Sequence, residues 1–372
     1  DVILGQEIPV RVAEQPAVRS ERSVVQDAFA VVLVLLDRAE TLIRVGHHVG
    51  HFAFAQVCVG CRVGTADNDA EQIDSIELGY IVDLKIRVNN YIERMYAKYS
   101  PAPFLSVVIS DCIDKGRDYY DGGPRYNTNY IQCCGLGTVS DSLLALKKHV
   151  FEDQRYSMDQ VLTAVAKNFA GEEVMRQTIL NKTPFYGNNL EYADTVAVKV
   201  YDDLVDLIDG QPNIKEGGKY HLNMLSTTCH VYFGKVMGAT PNGRLAHKSI
   251  SDGTSPTHGA DCRGPSAVVQ SLGKLDQTKS GGTLLNLRFL PSLVKRDEDI
   301  RKLGSLIRSY FTMGGHHVQF NIVDTATLRA AQRNPQDYKD LLVRMAGYSD
   351  YFNDMNGDLQ QEVIDRTENE AF

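Results

Sequence analysis

The chain changes texture close to residue 78, and no single fold reads across that break. Its first lysine is Lys85, its first tyrosine is Tyr80, and valine fills 14 of the first 64 positions. A shift of this kind marks a boundary between units. Residues 1–78 are therefore an unassigned segment, either non-homologous to the rest of the chain or a translation artefact. From residue 79 the pattern is that of a compact enzyme. Leu84, Val88, Tyr91, Ile92 and Met95 recur at helical spacing and predict a buried face, with Lys85, Arg87, Glu93 and Arg94 turned to water. Pro101 and Pro103 end that helix, and residues 104–109 read as a buried strand. Helix followed by strand predicts an α/β fold.

Composition excludes several function classes. The net charge of −8 argues against a nucleic-acid or anionic-membrane surface. The longest apolar run, residues 28–36, is too short to span a bilayer and is bracketed by Asp27 and Asp37. The acidic amino terminus lacks the basic start of a secretory signal. Seven scattered cysteines do not form a secreted disulfide framework, so a cytoplasmic location is expected. His47, His48 and His51 precede Cys58 and Cys61, which invites zinc. Only one Cys-x-x-Cys pair is present, whereas a structural site has two ligand pairs, so ordinary thiols and surface histidines are the expectation and no metal is assigned.

Further along, Gly135-x-Gly137 lacks the third glycine and the Gly-Lys-(Ser/Thr) ending of a phosphate loop. A helix is predicted over residues 138–149, capped by Thr138 or Ser140. Another carries Ala193, Val196, Ala197, Val200, Leu204 and Leu207 on one side, and its Asp202, Asp203, Asp206 and Asp209 read as a solvated face because no calcium-type loop accompanies them. Residues 226–234 and 316–321 read as strands, the latter with structural histidines. Residues 238–244 and 251–264 are long loops of the kind that carry function.

Near the carboxy terminus stands Arg344-Met345-Ala346-Gly347-Tyr348-Ser349-Asp350-Tyr351-Phe352. A glycine here is ordinarily a turn. A glycine Cα between an amide nitrogen and a carbonyl also delocalises an unpaired electron, and any β-carbon hinders both the flattening and the removal of hydrogen. The stretch resembles the radical loop of the glycyl radical enzymes, Arg-Val-(Ser/Ala)-Gly-Tyr followed by Phe, with Met345 in place of valine. Thr138-Val139-Ser140-Asp141-Ser142-Leu143, Tyr186-Gly187-Asn188-Asn189, Thr240-Pro241-Asn242-Gly243-Arg244 and Ser255-Pro256-x-His258-Gly259-x-Asp261 match the same family in order. The resemblance covers residues 79–372.

That resemblance implies the second half of a ten-stranded α/β barrel. Residues 79–245 would be the carboxy-terminal part of the pyruvate formate-lyase-like barrel domain and 246–372 the glycine radical domain. It implies a stored radical on a buried Gly347, installed by a separate S-adenosylmethionine and iron–sulfur activase, with no cofactor bound to the chain. Thr227, expected on a strand facing the barrel interior, would contact substrate. The family's cysteine motif, Gly-Cys-x-Glu or similar, is absent before residue 79; Cys133 and Cys134 sit too close to Thr138 to replace it and are expected to be buried. The thiyl cysteine and a catalytic carboxylate would come from another half, and this chain alone would not turn over. The wording around Gly347 is nearer the dehydratases than pyruvate formate-lyase. It implies radical dehydration of a small hydroxylated molecule, first trans-4-hydroxy-L-proline to pyrroline-5-carboxylate. Alternatives are pyruvate formate-lyase-like acyl transfer, diol dehydration, or a non-catalytic radical-bearing subunit. A homodimer is implied for the full-length form.

Overall fold

The computed structural model describes residues 75–371. The valine-rich stretch, residues 28–36 and the group of His47, His48, His51, Cys58 and Cys61 lie outside the described residues. Helix α1 (Ser75–Tyr99) leads into two short helices, α2 (Pro103–Val107) and α3 (Ser110–Lys115). Strand β1 (Asn129–Gln132) is followed by α4 (Leu136–Leu146), α5 (Met158–Ala166), α6 (Glu173–Lys182) and α7 (Glu191–Ile208). Then come β2 (Tyr220–Asn223), α8 (Cys229–Val236), α9 (Pro265–Leu272), β3 (Leu285–Phe289), α10 (Asp297–Thr312) and β4 (Val318–Ile322). The chain ends with α11 (Thr325–Arg333), β5 (Leu342–Arg344), β6 (Ser349–Tyr351), α12 (Gly357–Asp365) and β7 (Glu368–Asn369).

The fold is mixed α/β. Strands β1 and β2 pair in parallel, as do β3 with β4 and β3 with β7. A parallel bridge from Met224 to Thr283 continues the line from the end of β2 toward β3. Parallel strands need long crossovers, which the intervening helices provide. Helix α7 buries Val200, Tyr201, Val205 and Ile208 with Leu222 and Met224 of the β2 region and Ala197 with Tyr186 and Val268; its buried face is turned slightly from the expected one, because Val196, Leu204 and Leu207 are only partly buried. Among the described residues, no helix is long and apolar enough to cross a membrane.

Several local expectations are corrected. In α1 the buried positions are Ile81, Val82 and Ile86, together with Lys85, while Tyr91 is 63% exposed. The apolar spacing is helical, but Tyr91 and Met95 lie beyond the part of the helix that packs on α7. Residues 104–109 form helix α2 and the break after it, with Phe104 84% exposed. Pro103 stands at the first helical position, where its fixed φ starts a helix as readily as it ends one. Helix α4 is preceded by Gly135 at φ +90°, not capped by Thr138 or Ser140, whose side chains are buried within it. It lies so close to the 255–257 loop that a β-carbon on Gly137 would come 2.8 Å from the Thr257 nitrogen. Residues 226–234 are a turn and then helix α8, not a strand. The strand around residue 318 is present, and His316 precedes it, exposed.

Candidate glycine loop and its buried anchor

Strands β5 and β6 form an antiparallel hairpin in which Arg344 pairs with Ser349, closed by the amide of Met345 donating to the Tyr348 carbonyl at 2.9 Å. The four-residue loop 345–348 is divided in its burial. Met345 and Ala346 point inward, 1% and 6% exposed, while Gly347 and Tyr348 face out. Gly347 has φ +85°, and nothing lies within 4 Å of where a β-carbon would stand. Glycine is thus required here by backbone conformation and not by crowding. The expectation of a buried glycine does not hold in this chain: its Cα is at the surface.

Both sides of Gly347 are nevertheless engaged. Its N–H donates to Gln319 Oε1 at 3.0 Å, and its carbonyl accepts from Arg344 Nη2 at 3.1 Å. Arg344 Nε donates to the same Gln319 oxygen at 3.0 Å, and Gln319 Nε2 donates to the Met345 carbonyl at 2.8 Å. Two positions along β4, Asn321 accepts from the Arg344 amide at 2.7 Å and donates to its carbonyl at 2.8 Å. Successive residues of a strand face opposite ways, so Gln319 and Asn321 share one face. Their side-chain amides act as the hairpin's strand partners.

Below the loop, Val343, Met345 and Phe352 pack with Leu328, Ala331, Val363 and Ile364. Phe352 is fully buried, worth roughly 1.5–3 kcal/mol. Helix α12 comes next, with Asn356 accepting from the Leu359 amide as its cap. The apolar face of Leu359, Val363 and Ile364 docks the tail. Arg288, 2% exposed, also holds that tail, donating to the carbonyls of Ile364 at 3.2 Å and Arg366 at 2.5 Å.

The same helix carries a buried ionic group. Arg366 donates through Nε and Nη2 to the two oxygens of Glu362 at 2.8 and 2.9 Å and through Nη1 to the Arg344 carbonyl at 3.1 Å. His230 Nε2 and His258 Nε2 stand 3.2 and 3.5 Å from Glu362 Oε1, and His258 Nε2 is 3.7 Å from Asp252 Oδ1. Burial opposes the Glu362 charge, but Arg366 and the two imidazoles outweigh it and hold the carboxyl far below its ordinary value. Burial likewise opposes a charged His258, and the Asp252 and Glu362 carboxylates overcome it, raising the imidazole above 6.5. Nearby Asp261 and Asp141 are pushed up by burial, to about 6 and about 7.

Donor atoms of Asp252, His258 and Glu362 lie within 4.8 Å of one another, a spacing a metal ion would accept. The group does not fit one. Both Glu362 oxygens are held by Arg366, and a buried guanidinium opposes a second cation. It is an ionic anchor between α12, α8 and the 252–261 loop.

Thr227 lies in the turn before α8 and not on a strand, in the left-handed region at φ +49°. Its hydroxyl donates to the Ser226 carbonyl at 2.7 Å and stands 3.8 Å from Cys229 Sγ. A β-branched residue with positive φ is strained, and such strain concentrates at functional sites. Cys133 and Cys134 are half-buried beyond β1, and burial pushes the Cys133 thiol up to about 12. Asp202 and Asp203 pair with Lys279 and Lys199. Sequence reading missed Gln319, Asn286, Glu362 and Arg366. The available signal was Gln319 and Asn321, two amides alternating on a segment that reads as a strand.

Residues 75–234 match the family model described as "Pyruvate formate lyase-like", and residues 250–353 match the one described as "Glycine radical". The chain is 49% identical over 292 residues to trans-4-hydroxy-L-proline dehydratase of Clostridioides difficile, covering 78% of this chain and 37% of that protein. It is 40% identical over 292 residues to isethionate sulfite-lyase of Oleidesulfovibrio alaskensis, covering 77% and 34%. The crystal structure of hydroxyproline dehydratase from Clostridioides difficile with trans-4-hydroxy-L-proline bound superposes with a TM-score of 0.80 at 42% identity, covering 92% of this chain and 43% of the other. The glycerol-bound dehydratase of Clostridium butyricum gives 0.79 at 32% identity, with the same coverage. The chain spans little more than a third of the length of these curated relatives. The two matched domains and the loop around Gly347 place the chain in the glycyl radical enzyme family.

Proposed function

We propose that Gly347 stores the radical of a glycyl radical dehydratase, and that the substrate is trans-4-hydroxy-L-proline. The observation that carries the reading is the state of Gly347: its amide and carbonyl are each hydrogen-bonded, while the space beside its Cα is open. A hydrogen atom can be taken from Cα without moving a neighbour. The partner that takes it would be a separate S-adenosylmethionine and iron–sulfur activase. Gly347 would then take a hydrogen atom from a cysteine, whose thiyl takes one from substrate. Loss of the 4-hydroxyl as water and return of the hydrogen yield pyrroline-5-carboxylate, with no net oxidation.

That cysteine and the carboxylate that handles the proton of the departing water have no counterpart assigned among the described residues. We place them in the part of the relatives that this chain does not span. The full-length protein is proposed as a cytoplasmic homodimer, with the carboxy-terminal part of the pyruvate formate-lyase-like barrel domain over residues 79–245 and the glycine radical domain over 246–372. The parallel order β1, β2, β3, β4 supports a half-barrel.

The test is anaerobic activation of the chain together with an amino-terminal half, followed by supply of trans-4-hydroxy-L-proline, isethionate or glycerol. Pyrroline-5-carboxylate from the first alone is the expected product. Sulfite from isethionate, or an aldehyde from glycerol, would reassign the substrate. A radical formed by the chain without any amino-terminal half, and no product with it, would favour the radical-bearing subunit.

Thr227 is proposed to line the substrate pocket. Thr227→Gly relieves its left-handed strain and is expected to raise unfolding free energy by about 1 kcal/mol. In the reconstituted enzyme the same change should raise KM for hydroxyproline. An unchanged KM in a stabilised variant would leave Thr227 with a backbone role only.

A further inference from the structure

We infer that Gln319 is the positioning residue of Gly347, held in one orientation by a hydrogen-bond relay that starts at the Asp252 carboxylate; this rests on Gly347 as the radical site. An ionised carboxylate only accepts hydrogen bonds. Asn286 therefore turns Nδ2 toward Asp252 Oδ2, which leaves its Oδ1 to accept from Gln319 Nε2 at 2.6 Å. Asn286 and Gln319 are register partners across β3 and β4, so the contact is built into the sheet. With Nε2 committed to Asn286 and to the Met345 carbonyl, Gln319 Oε1 must face Gly347 N–H and Arg344 Nε. Flipping the amide would set Nε2 against two donors and Oε1 against two acceptors. Gln319 is 5% exposed, so water does not compensate such a flip.

The relay acts on both the closure and the electronics of the loop. Gln319 accepting from the Gly347 amide makes that nitrogen a better electron donor. Arg344 donating to the Gly347 carbonyl makes that group a better acceptor. In resting glycine these bonds only hold the loop shut. In a Cα radical they draw spin away from carbon onto nitrogen and oxygen. Asp252 belongs to the ionic anchor of α12, so one carboxylate ties the docking of the tail to the orientation of the amide at Gly347.

Two readouts test this on the whole chain. The first is amide hydrogen exchange at Gly347 in protein labelled with nitrogen-15 glycine, the other glycine amides serving as internal reference. The second is the α-hydrogen splitting of the glycyl signal in electron paramagnetic resonance after activation. Gln319→Leu is expected to speed Gly347 exchange about tenfold, the factor set by one hydrogen bond's net contribution, with the reference amides unchanged. It should also widen the splitting, because spin returns to Cα; loosened packing alone would not do so. Asn286→Leu removes the acceptor that holds Gln319 Nε2 and should speed Gly347 exchange, less than Gln319→Leu does because the Met345 carbonyl still holds that nitrogen. Asp252→Asn, which no longer dictates which way the Asn286 amide turns, should speed it less again.

Wild-type exchange and splitting in Gln319→Leu would overturn the proposal. So would wild-type exchange in Asn286→Leu, a comparison that stands even where Gln319→Leu fails to fold. Absence of any glycyl signal in activated wild type would remove the radical reading, while the exchange rates would still decide whether Gln319 positions Gly347.

Discussion

Gly347→Ala is expected to eliminate the glycyl signal under conditions where the wild-type chain develops it, and to reduce activity of the reconstituted enzyme to background. The folded chain should survive the change. No atom lies within 4 Å of the added β-carbon, so the cost is that of holding alanine at φ +85°, roughly 1–2 kcal/mol. Gly314 provides a matched control. It has φ +92° and equally open surroundings, but sits in the turn after α10. Gly314→Ala should therefore lose similar stability and keep the radical. Anaerobic spectroscopy beside a urea titration of both variants checks the pair. A persisting doublet in Gly347→Ala would move the radical to another glycine.

Arg366→Met is expected to destabilise the chain by about 3–5 kcal/mol, because it leaves the buried Glu362 carboxylate with only the His230 and His258 imidazoles as partners. Glu362 is 1% exposed and takes both its hydrogen bonds from Arg366. The loss should be largest in α12 and the β5–β6 hairpin, since Arg366 also holds the Arg344 carbonyl. A double variant, Glu362→Leu with Arg366→Met, should be more stable than Arg366→Met alone, since no charge is then stranded. Urea titrations of the two single variants and the double complete the cycle. A double variant no better than Arg366→Met would mean that the charges are not coupled.

The anchor also sets a pH window. Glu362 is held below its ordinary 4.5, so its stabilisation is present above that value and is lost as pH falls toward the folded pKa. His258 is raised above 6.5, so its contribution is complete below that value and is lost as pH rises through the folded pKa. Asp261 and Asp141, raised from 3.8 to about 6 and about 7, lose stabilisation as pH rises across those intervals. Above about pH 4.5 the Glu362 contribution is complete while those of Asp261 and Asp141 are falling, with that of His258 following above 6.5. The buried group around α12 is therefore held most firmly near pH 4–5 and loosens as pH rises through 5 to 7. Hydrogen exchange in α12 across pH, corrected for intrinsic rates, should show this; protection that keeps rising above pH 7 would contradict it.

How far the chain alone announced this arrangement depends on the range of the interaction involved. Helix α7 was readable because its apolar positions repeat within one element and its burial follows that period. Residues 104–109 were misread for the same local reason: an apolar run has no period that separates strand from helix, and Pro103 permits either. Thr227 was noticed by resemblance but assigned to a strand, since nothing in residues 226–234 signals the left-handed turn that starts α8.

Gly347 stands apart because its requirement is written in one residue and its immediate neighbours. A glycine between Arg344 and Tyr348, followed by Phe352, carries its chemistry in backbone atoms, and the sequence alone determined where that chemistry would sit. The groups that act on it come from elsewhere: Gln319 is 28 residues away, Asn286 lies on a neighbouring parallel strand, and Asp252 lies in a loop distant in sequence. Glu362 and Arg366 look like an ordinary helical pair until burial removes water from them. Their roles arise from strand register and desolvation, which only the tertiary structure decided, because neither is a property of any short stretch of chain.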